Sequence, residues 1–240
     1  MNVAFAGVDA FYGRSQILHG VSLGLPEGKL TAILGRNGVG KTTLLKTLMG
    51  MLDRMTGSIR LGTREIGQEP TFRRARAGIA YVPQGRQIIP DFTIRENILM
   101  GAFARGARRG ASVRDGKRAI PPLAAELFPY LMANLDRPGG VLSGGQQQQL
   151  AIARALAADP KVLLLDEPSE GIQPNVVDDI ERIIMRLNQE FGMTVLLVEQ
   201  NVAFVRRAGH RFAMMEKGRV VAGGAINELT DELVHRHMAV

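Results

Sequence analysis

Residues 35–42 read GRNGVGKT, and no other stretch of the chain limits its possible folds so tightly. The octet satisfies the pattern G-x-x-x-x-G-K-[ST]. It lies directly after the apolar run KLTAIL and directly before KTTLLKTLMGML, which has a helical pattern. Gly35, Gly38 and Gly40 allow a backbone to turn its N–H groups toward an anion, and Arg36, Asn37 and Val39 complete the loop. The helix that follows adds the positive end of its dipole. Such a loop cradles nucleotide phosphates. Lys41 is then expected to reach the β- and γ-phosphates, Thr42 to help hold Mg²⁺ through its hydroxyl, and Thr43 to cap the same turn.

The surrounding pattern is consistent with that reading. Short apolar runs at Leu30–Leu34, Ile79–Val82, Val162–Leu165 and Val195–Val198 predict strands covered on both faces. Helical stretches separate several of them, including NVVDDIERIIMRLNQE, where Pro174 suits the first turn because its missing N–H is not needed there. VAFAGVDAFYG and VSLGL predict a smaller antiparallel portion at the N-terminus. Between Val82 and Val162 the segments TIRENILMGAF, ELFPYLMANL and GGQQQQLAIARALAAD predict helices. The expected fold is therefore α/β: a P-loop NTPase core with a mostly parallel sheet, a small N-terminal antiparallel β portion, and a helical lobe inserted at roughly residues 86–160. One domain over residues 1–240 is expected.

A second element is KVLLLDEPSEGIQP, an apolar strand ending in adjacent carboxylates. A buried strand that stops at Asp166 and Glu167 brings both to the carboxyl edge of the sheet, where α/β folds bind ligands. Asp166 is expected to serve the Mg²⁺ shell, and Glu167 to polarise an attacking water.

Charge narrows the partners. Lys and Arg number 30 against 23 Asp and Glu, a balance of +7 that favours nucleotide phosphates, nucleic acid or an anionic membrane face. Arg105, Arg108, Arg109, Arg114, Lys117 and Arg118 cluster without interleaved aromatics to stack bases, which favours a surface or membrane-proximal loop over a nucleic-acid site. No apolar run approaches the roughly 18 residues of a membrane span, and MNVAFAGVDAFYG lacks the features of a signal peptide, so an unexported protein is expected. The absence of cysteine excludes disulfides and thiolate metal sites.

Residues 141–146 read VLSGGQ. Ser143, Gly144 and Gly145 would present bare backbone N–H groups at the start of a helix, a second anion site. Through this motif together with the phosphate loop and the paired carboxylates, the chain resembles the ATP-binding subunit of ABC transporters along essentially its whole length. The resemblance implies ATP and Mg²⁺ as cofactors. It also implies that Ser143, Gly144, Gly145 and Gln146 face the γ-phosphate held by the loop of a second ATPase subunit, the same chain or a paralogue, docked head-to-tail. Tyr12 matches the aromatic that stacks on adenine, and Gln84 the glutamine that contacts Mg²⁺ or water and links core to lobe. The lobe resembles the surface that grips transmembrane permease subunits, with a periplasmic solute-binding protein engaged indirectly. The resemblance implies a cytoplasmic protein, peripheral on the inner face of the plasma membrane, with no nucleic-acid partner. Gln147 to Gln149 are expected to be ordinary solvated helix positions.

Two positions depart from the commonest family pattern. Gln200 stands where most members carry histidine; an amide can hydrogen-bond a γ-phosphate but cannot become a cation. It remains a candidate catalytic position. Gln173 stands where many members have aspartate. None of His19, His210, His235 and His237 is an obvious substitute, and all are expected to be solvated. LLVEQN, GRQIIP and EGIQP are similar to the ATPase subunits of branched-chain amino acid importers. LSGGQQQQLAIARAL followed by EPSEGIQPN most resembles the urea-importer member of that group, so urea is the expected solute and branched-chain amino acids the alternative. An ABC-type ATPase acting on DNA or ribosomes would suit the charge, yet only enough chain for a compact lobe separates Gln84 from Leu142. A P-loop small-molecule kinase would leave LSGGQ unexplained.

Overall fold

The structure, a computed structural model, describes residues 1–104 and 120–238. Two sheets organise it. Strands β1 (Val3–Tyr12), β2 (Ser15–Leu25), β4 (Arg54–Leu61) and β5 (Arg64–Glu65) form an antiparallel sheet in the order β2-β1-β4-β5. Strands β3 (Leu30–Leu34), β6 (Ile79–Val82), β7 (Val162–Asp166), β8 (Thr194–Val198), β9 (Arg211–Glu216) and β10 (Arg219–Ala225) form the second, in the order β10-β9-β3-β8-β7-β6. In it, β9, β3, β8, β7 and β6 are mutually parallel, and β10 is an antiparallel edge strand. Every residue of β3, β7 and β8 is buried, which is why these runs show no alternation of polar and apolar residues.

Burial on both faces requires two cores. Helix α1 (Lys41–Met49) packs Leu44, Leu45 and Leu48 into the core shared by the two sheets, together with Phe5, Val8 and Ile33. Burying a leucine contributes about 1.5–3 kcal/mol, so three of them anchor the helix that carries the phosphate loop. The helix stops at Met49, short of the expected end, because Gly50 adopts a left-handed conformation at φ 71° and donates to the carbonyls of Lys46 and Thr47.

The opposite face of the six-stranded sheet is covered by helices. Among these are α3 (Ile94–Gly101), α4 (Pro122–Leu127), α5 (Pro129–Ala133), α6 (Gly144–Leu156), α7 (Pro174–Gln189) and α8 (Val202–Ala208). The remaining helices are α2 (Thr71–Arg76) and α9 (Asp231–Met238). ELFPYLMANL is not one helix, as its pattern suggests. Pro129 disfavours helical geometry at Phe128, which lies at φ −127° and ψ 62° and separates α4 from α5. Helix α3 begins with a reciprocal cap between Thr93 and Glu96. It ends at Gly101, where a Cβ would lie 1.7 Å from the carbonyl oxygen of Arg154; only glycine lets α3 and α6 approach so closely. The basic cluster from Arg105 to Arg118 lies outside the described residues. Among the described residues no helix is long and apolar enough to cross a membrane.

Candidate functional site

The phosphate loop joins the carboxyl end of β3 to α1. Gly35, Gly38 and Gly40 have φ values of 148°, 79° and 106°, all in the region that favours glycine. Gly35 has a further reason to lack a side chain: its Cβ would lie 2.5 Å from the carbonyl oxygen of Met215 on β9. Lys41 is buried, and its Nζ donates to the carbonyls of Gly35 at 2.8 Å and Arg36 at 3.0 Å. The same ammonium lies 3.2 Å from Glu167 Oε1. Thr43 does not cap the turn. Gly40 is the N-cap residue, no side chain caps it, and Thr43 is buried under the loop.

Asp166 ends β7 directly beneath this loop. Its Oδ1 accepts from the Thr42 hydroxyl at 3.0 Å, and its Oδ2 from the Tyr81 hydroxyl at 2.9 Å. Burial raises its carboxyl above the usual range, although both hydrogen bonds pull the other way. Burial, then the neighbouring carboxylate, also raise the Tyr81 phenol, which therefore stays a proton donor. One hydroxyl and one buried carboxylate match how proteins hold Mg²⁺, with few oxygen ligands of their own beside phosphate and water. The donor chemistry fits the ion.

Glu167 adopts a left-handed backbone at φ 45°, unusual for a residue with a Cβ, and its N–H donates to Val198 O at 2.9 Å. That bond ties the end of β7 to β8 and brings in Gln200. The Gln200 amide donates to Asn37 Oδ1 at 2.9 Å and to Glu167 Oε2 at 3.0 Å. Loop, carboxylate and amide thus form one connected unit.

Glu199, which sequence reading passed over, supports that unit. It is buried and accepts from the Ser169 hydroxyl at 2.5 Å and N–H at 3.3 Å, from Gln200 N–H at 2.9 Å and from Asn201 N–H at 3.2 Å. A carboxylate, an acceptor at both oxygens, suits four donors. The available signal was an acid directly after a largely apolar strand, the same signal that pointed to Asp166.

The remaining expected residues lie around this centre. Tyr12 is at the end of β1, partly exposed, in the tight connection to β2. Gln84 follows β6 and donates to Glu170 Oε2 at 2.7 Å, so its amide nitrogen holds the segment after Glu167 rather than the Asp166 cluster. Ser143 caps α6: Gln146 N–H donates to its hydroxyl at 3.4 Å, and Ser143 N–H donates to Gln146 Oε1 at 3.0 Å. Gly144 lies against the Arg86 guanidinium, and Gly145 against Val176 of α7. Among the described residues no hydrogen bond or ion pair links residues 143–146 to the phosphate loop of the same chain.

Some expectations are corrected. Gln148 is 3% exposed, because that face of α6 packs inward, and Gln147 donates to Leu142 O at 3.1 Å. Gln148 is therefore not a solvated position, while Gln147 and Gln149 are half-buried. His210 accepts from Leu30 N–H at 3.3 Å, and burial lowers its imidazole. His237 is largely covered, 3.5 Å from Glu216. His235 is exposed, as expected.

Fold and site together define a P-loop ATPase: a lysine-bearing phosphate loop, a hydroxyl–carboxylate pair beneath it and a second carboxylate beside it. Comparison with known proteins narrows this. The ABC transporter family profile matches residues 18–170, and the chain belongs to that family. It is 40% identical over 219 residues to the high-affinity branched-chain amino acid transport ATP-binding protein BraG of Pseudomonas aeruginosa, covering 91% of each chain. It is 35% identical to a probable branched-chain amino acid transport ATP-binding protein, LivF, of Archaeoglobus fulgidus, covering 93% of this chain and 92% of that one. A nucleotide-free ATP-binding cassette from an ABC transporter superposes with a TM-score of 0.79 at 26% identity, covering 100% of this chain and 96% of the other. The ADP conformation of another such cassette gives 0.79 at 28% identity, with 98% of each covered. The chain is an ATP-binding and ATP-hydrolysing subunit of an ABC transporter. Neither of the two relatives named here carries urea in its name, and the resemblance drawn from LSGGQQQQ to urea importers gains no support from them.

Proposed function

We propose that this chain powers an importer of branched-chain amino acids, as a peripheral ATPase on the cytoplasmic face of the membrane. The observation that carries the solute class is the 40% identity to BraG over 91% of both chains. Urea, the solute first suggested by local wording, is set aside in favour of this alternative. The whole of residues 1–240 would act as one cassette, its helical lobe meeting permease subunits that receive solute from a periplasmic binding protein.

In this reading the N–H groups of residues 35–43 and the Lys41 ammonium bind the β- and γ-phosphates of ATP, and Tyr12 stacks on the adenine. Lys41 exchanges the carbonyls of Gly35 and Arg36 for phosphate oxygens. Thr42 and Asp166 would hold Mg²⁺, with Gln84 contacting the ion or its water. When bound, the ion neutralises charge on the β- and γ-phosphate oxygens. Glu167 accepts the proton of the attacking water, held in place by Lys41 on one oxygen and Gln200 on the other. Gln200 orients Glu167 and can donate to the γ-phosphate without titrating.

Among the described residues, the side-chain hydrogen bonds of Ser143 and Gln146 are to each other and not to the phosphate loop of the same chain, which accords with a shared site. The α6 N-terminus would meet the γ-phosphate held by a second ATPase subunit, so that ATP closes a head-to-tail pair and its hydrolysis reopens it. Deleting the gene for this chain in its host and measuring uptake of labelled leucine and labelled urea tests the assignment. Loss of leucine uptake with urea uptake intact is expected; the opposite pattern would overturn the solute class.

A further inference from the structure

Strands β2 and β10, one from each sheet, are pinned together at one end and part beyond it. His19 N–H donates to Gly218 O at 2.9 Å, and the Arg219 guanidinium reaches His19 O at 3.4 Å, which pins β2 to the turn before β10. Further along, residues 22–25 of β2 and 220–224 of β10 line opposite sides of a cleft of about 680 Å³. Small residues leave this space open: Gly24, Ala213 and Gly223 are among those that line it.

The cleft lies at the amino ends of β3 and β9, whereas the phosphate loop leaves the carboxyl end of β3. It is therefore separate from the nucleotide site. Asn2, Ser22, Thr31 and Arg211 bring polar side chains to its lining, and two of these matter most. Thr31 and Arg211 are register partners on the parallel strands β3 and β9, so their side chains share one face of the sheet. Thr31 is 1% exposed, and its hydroxyl has no hydrogen-bond partner. Such a buried group is costly to leave unpaired and calls for an acceptor. The Arg211 guanidinium is exposed and, among the described residues, takes part in no hydrogen bond or ion pair. Leu23, Phe212 and Val220 supply apolar walls, and no acidic residue lines the cleft. A volume of this size, mostly apolar with a few convergent polar groups, is typical of small-molecule sites.

We propose that this cleft binds an aliphatic carboxylate. The carboxylate would bond the Arg211 guanidinium and the Thr31 hydroxyl, and the hydrocarbon body would lie between Leu23 and Val220. The lining offers a cation and a hydroxyl donor but no anion. It therefore favours a simple carboxylate over an amine of equal length and over a zwitterionic amino acid, whose ammonium would face the Arg211 guanidinium with no carboxylate in the lining to offset the repulsion.

Calorimetric titration of the full chain with octanoate, held below its micelle concentration, tests the site against octylamine and leucine as matched probes. Saturable binding of octanoate is expected, with both other probes at least about tenfold weaker, since one charge-assisted bond is decisive. Arg211→Gln should weaken octanoate about tenfold. Thr31→Val, which removes the hydroxyl donor and keeps the shape of the side chain, should weaken binding by a similar factor. Neither residue belongs to the nucleotide site, so unchanged ATPase activity in both variants verifies that they fold. The proposal is overturned by absence of saturable octanoate binding, by octylamine binding equally well, or by octanoate affinity that survives both substitutions.

Discussion

The Gln200 amide nitrogen donates to Glu167 Oε2 at 3.0 Å, while the other carboxylate oxygen of Glu167 lies 3.2 Å from the Lys41 ammonium. Two residues far apart in the chain therefore position one carboxylate, and one of them is a neutral amide. The consequences can be measured separately.

Glu167→Gln removes the proton acceptor and keeps the shape. Nucleotide affinity should persist while the steady-state ATPase rate falls by about 10² to 10⁴, the contribution typical of a positioned base. Equilibrium binding and turnover on the same preparation check this. A variant hydrolysing at the parent rate would remove Glu167 from the role.

Gln200 does not titrate, so the pH profile of hydrolysis should contain no ionisation from this position. Replacing it by histidine introduces a group with an ordinary pKa of about 6.5. Gln200→His should therefore show a new inflection between about pH 6 and 7 that the parent lacks. Gln200→Ala should slow hydrolysis only modestly, because Lys41 still holds Glu167. Superimposable profiles for parent and histidine variant would show that the side chain does not face the reaction.

Asp166 links function to stability. Its carboxyl is raised by burial, so in the nucleotide-free protein the folded state keeps a proton that the unfolded state releases. The stabilising contribution of that proton is complete below the unfolded value near 3.8 and is lost as pH rises through the raised folded value. Thermal unfolding against pH, for parent and Asp166→Asn, should show the parent losing stability over that window relative to the variant. Activity should be lost in the variant. Parallel curves would show that the buried carboxylate carries no such penalty.

Gly145 tests the junction between α6 and α7. A Cβ there would lie 2.2 Å from Val176 Cγ1, too close without movement. Gly145→Ala should lower unfolding stability by about 1–3 kcal/mol, the usual range for overpacking. Adding Val176→Ala should recover part of the loss. Denaturant unfolding of the two single variants and the double variant yields the coupling, and strict additivity would place the strain elsewhere.

Some of this protein was legible because the information is local. GRNGVGKT specifies its own turn through glycines that accept positive φ, and Ser143 with Gln146, three residues apart, specify their own helix cap. The uninterrupted apolar runs of β3, β7 and β8 announce strands covered on both faces, since neither face had to meet water. The two carboxylates at the end of β7 follow from the same reading.

What the tertiary structure decided depends on groups that the chain brings together from a distance. Gln200 meets Asn37 and Glu167 because β8 lies between β3 and β7, an order of strands that no local pattern states. Gln148 looks like a solvated amide in a run of amides, yet the packing of α6 buries it. Gly101 is glycine because Arg154, on another helix, passes within contact of it. Residue types and short spacings encode backbone geometry and the chemistry available; which side chains share a site is set by sheet order and helix packing, where contacts across the core outweigh local preference.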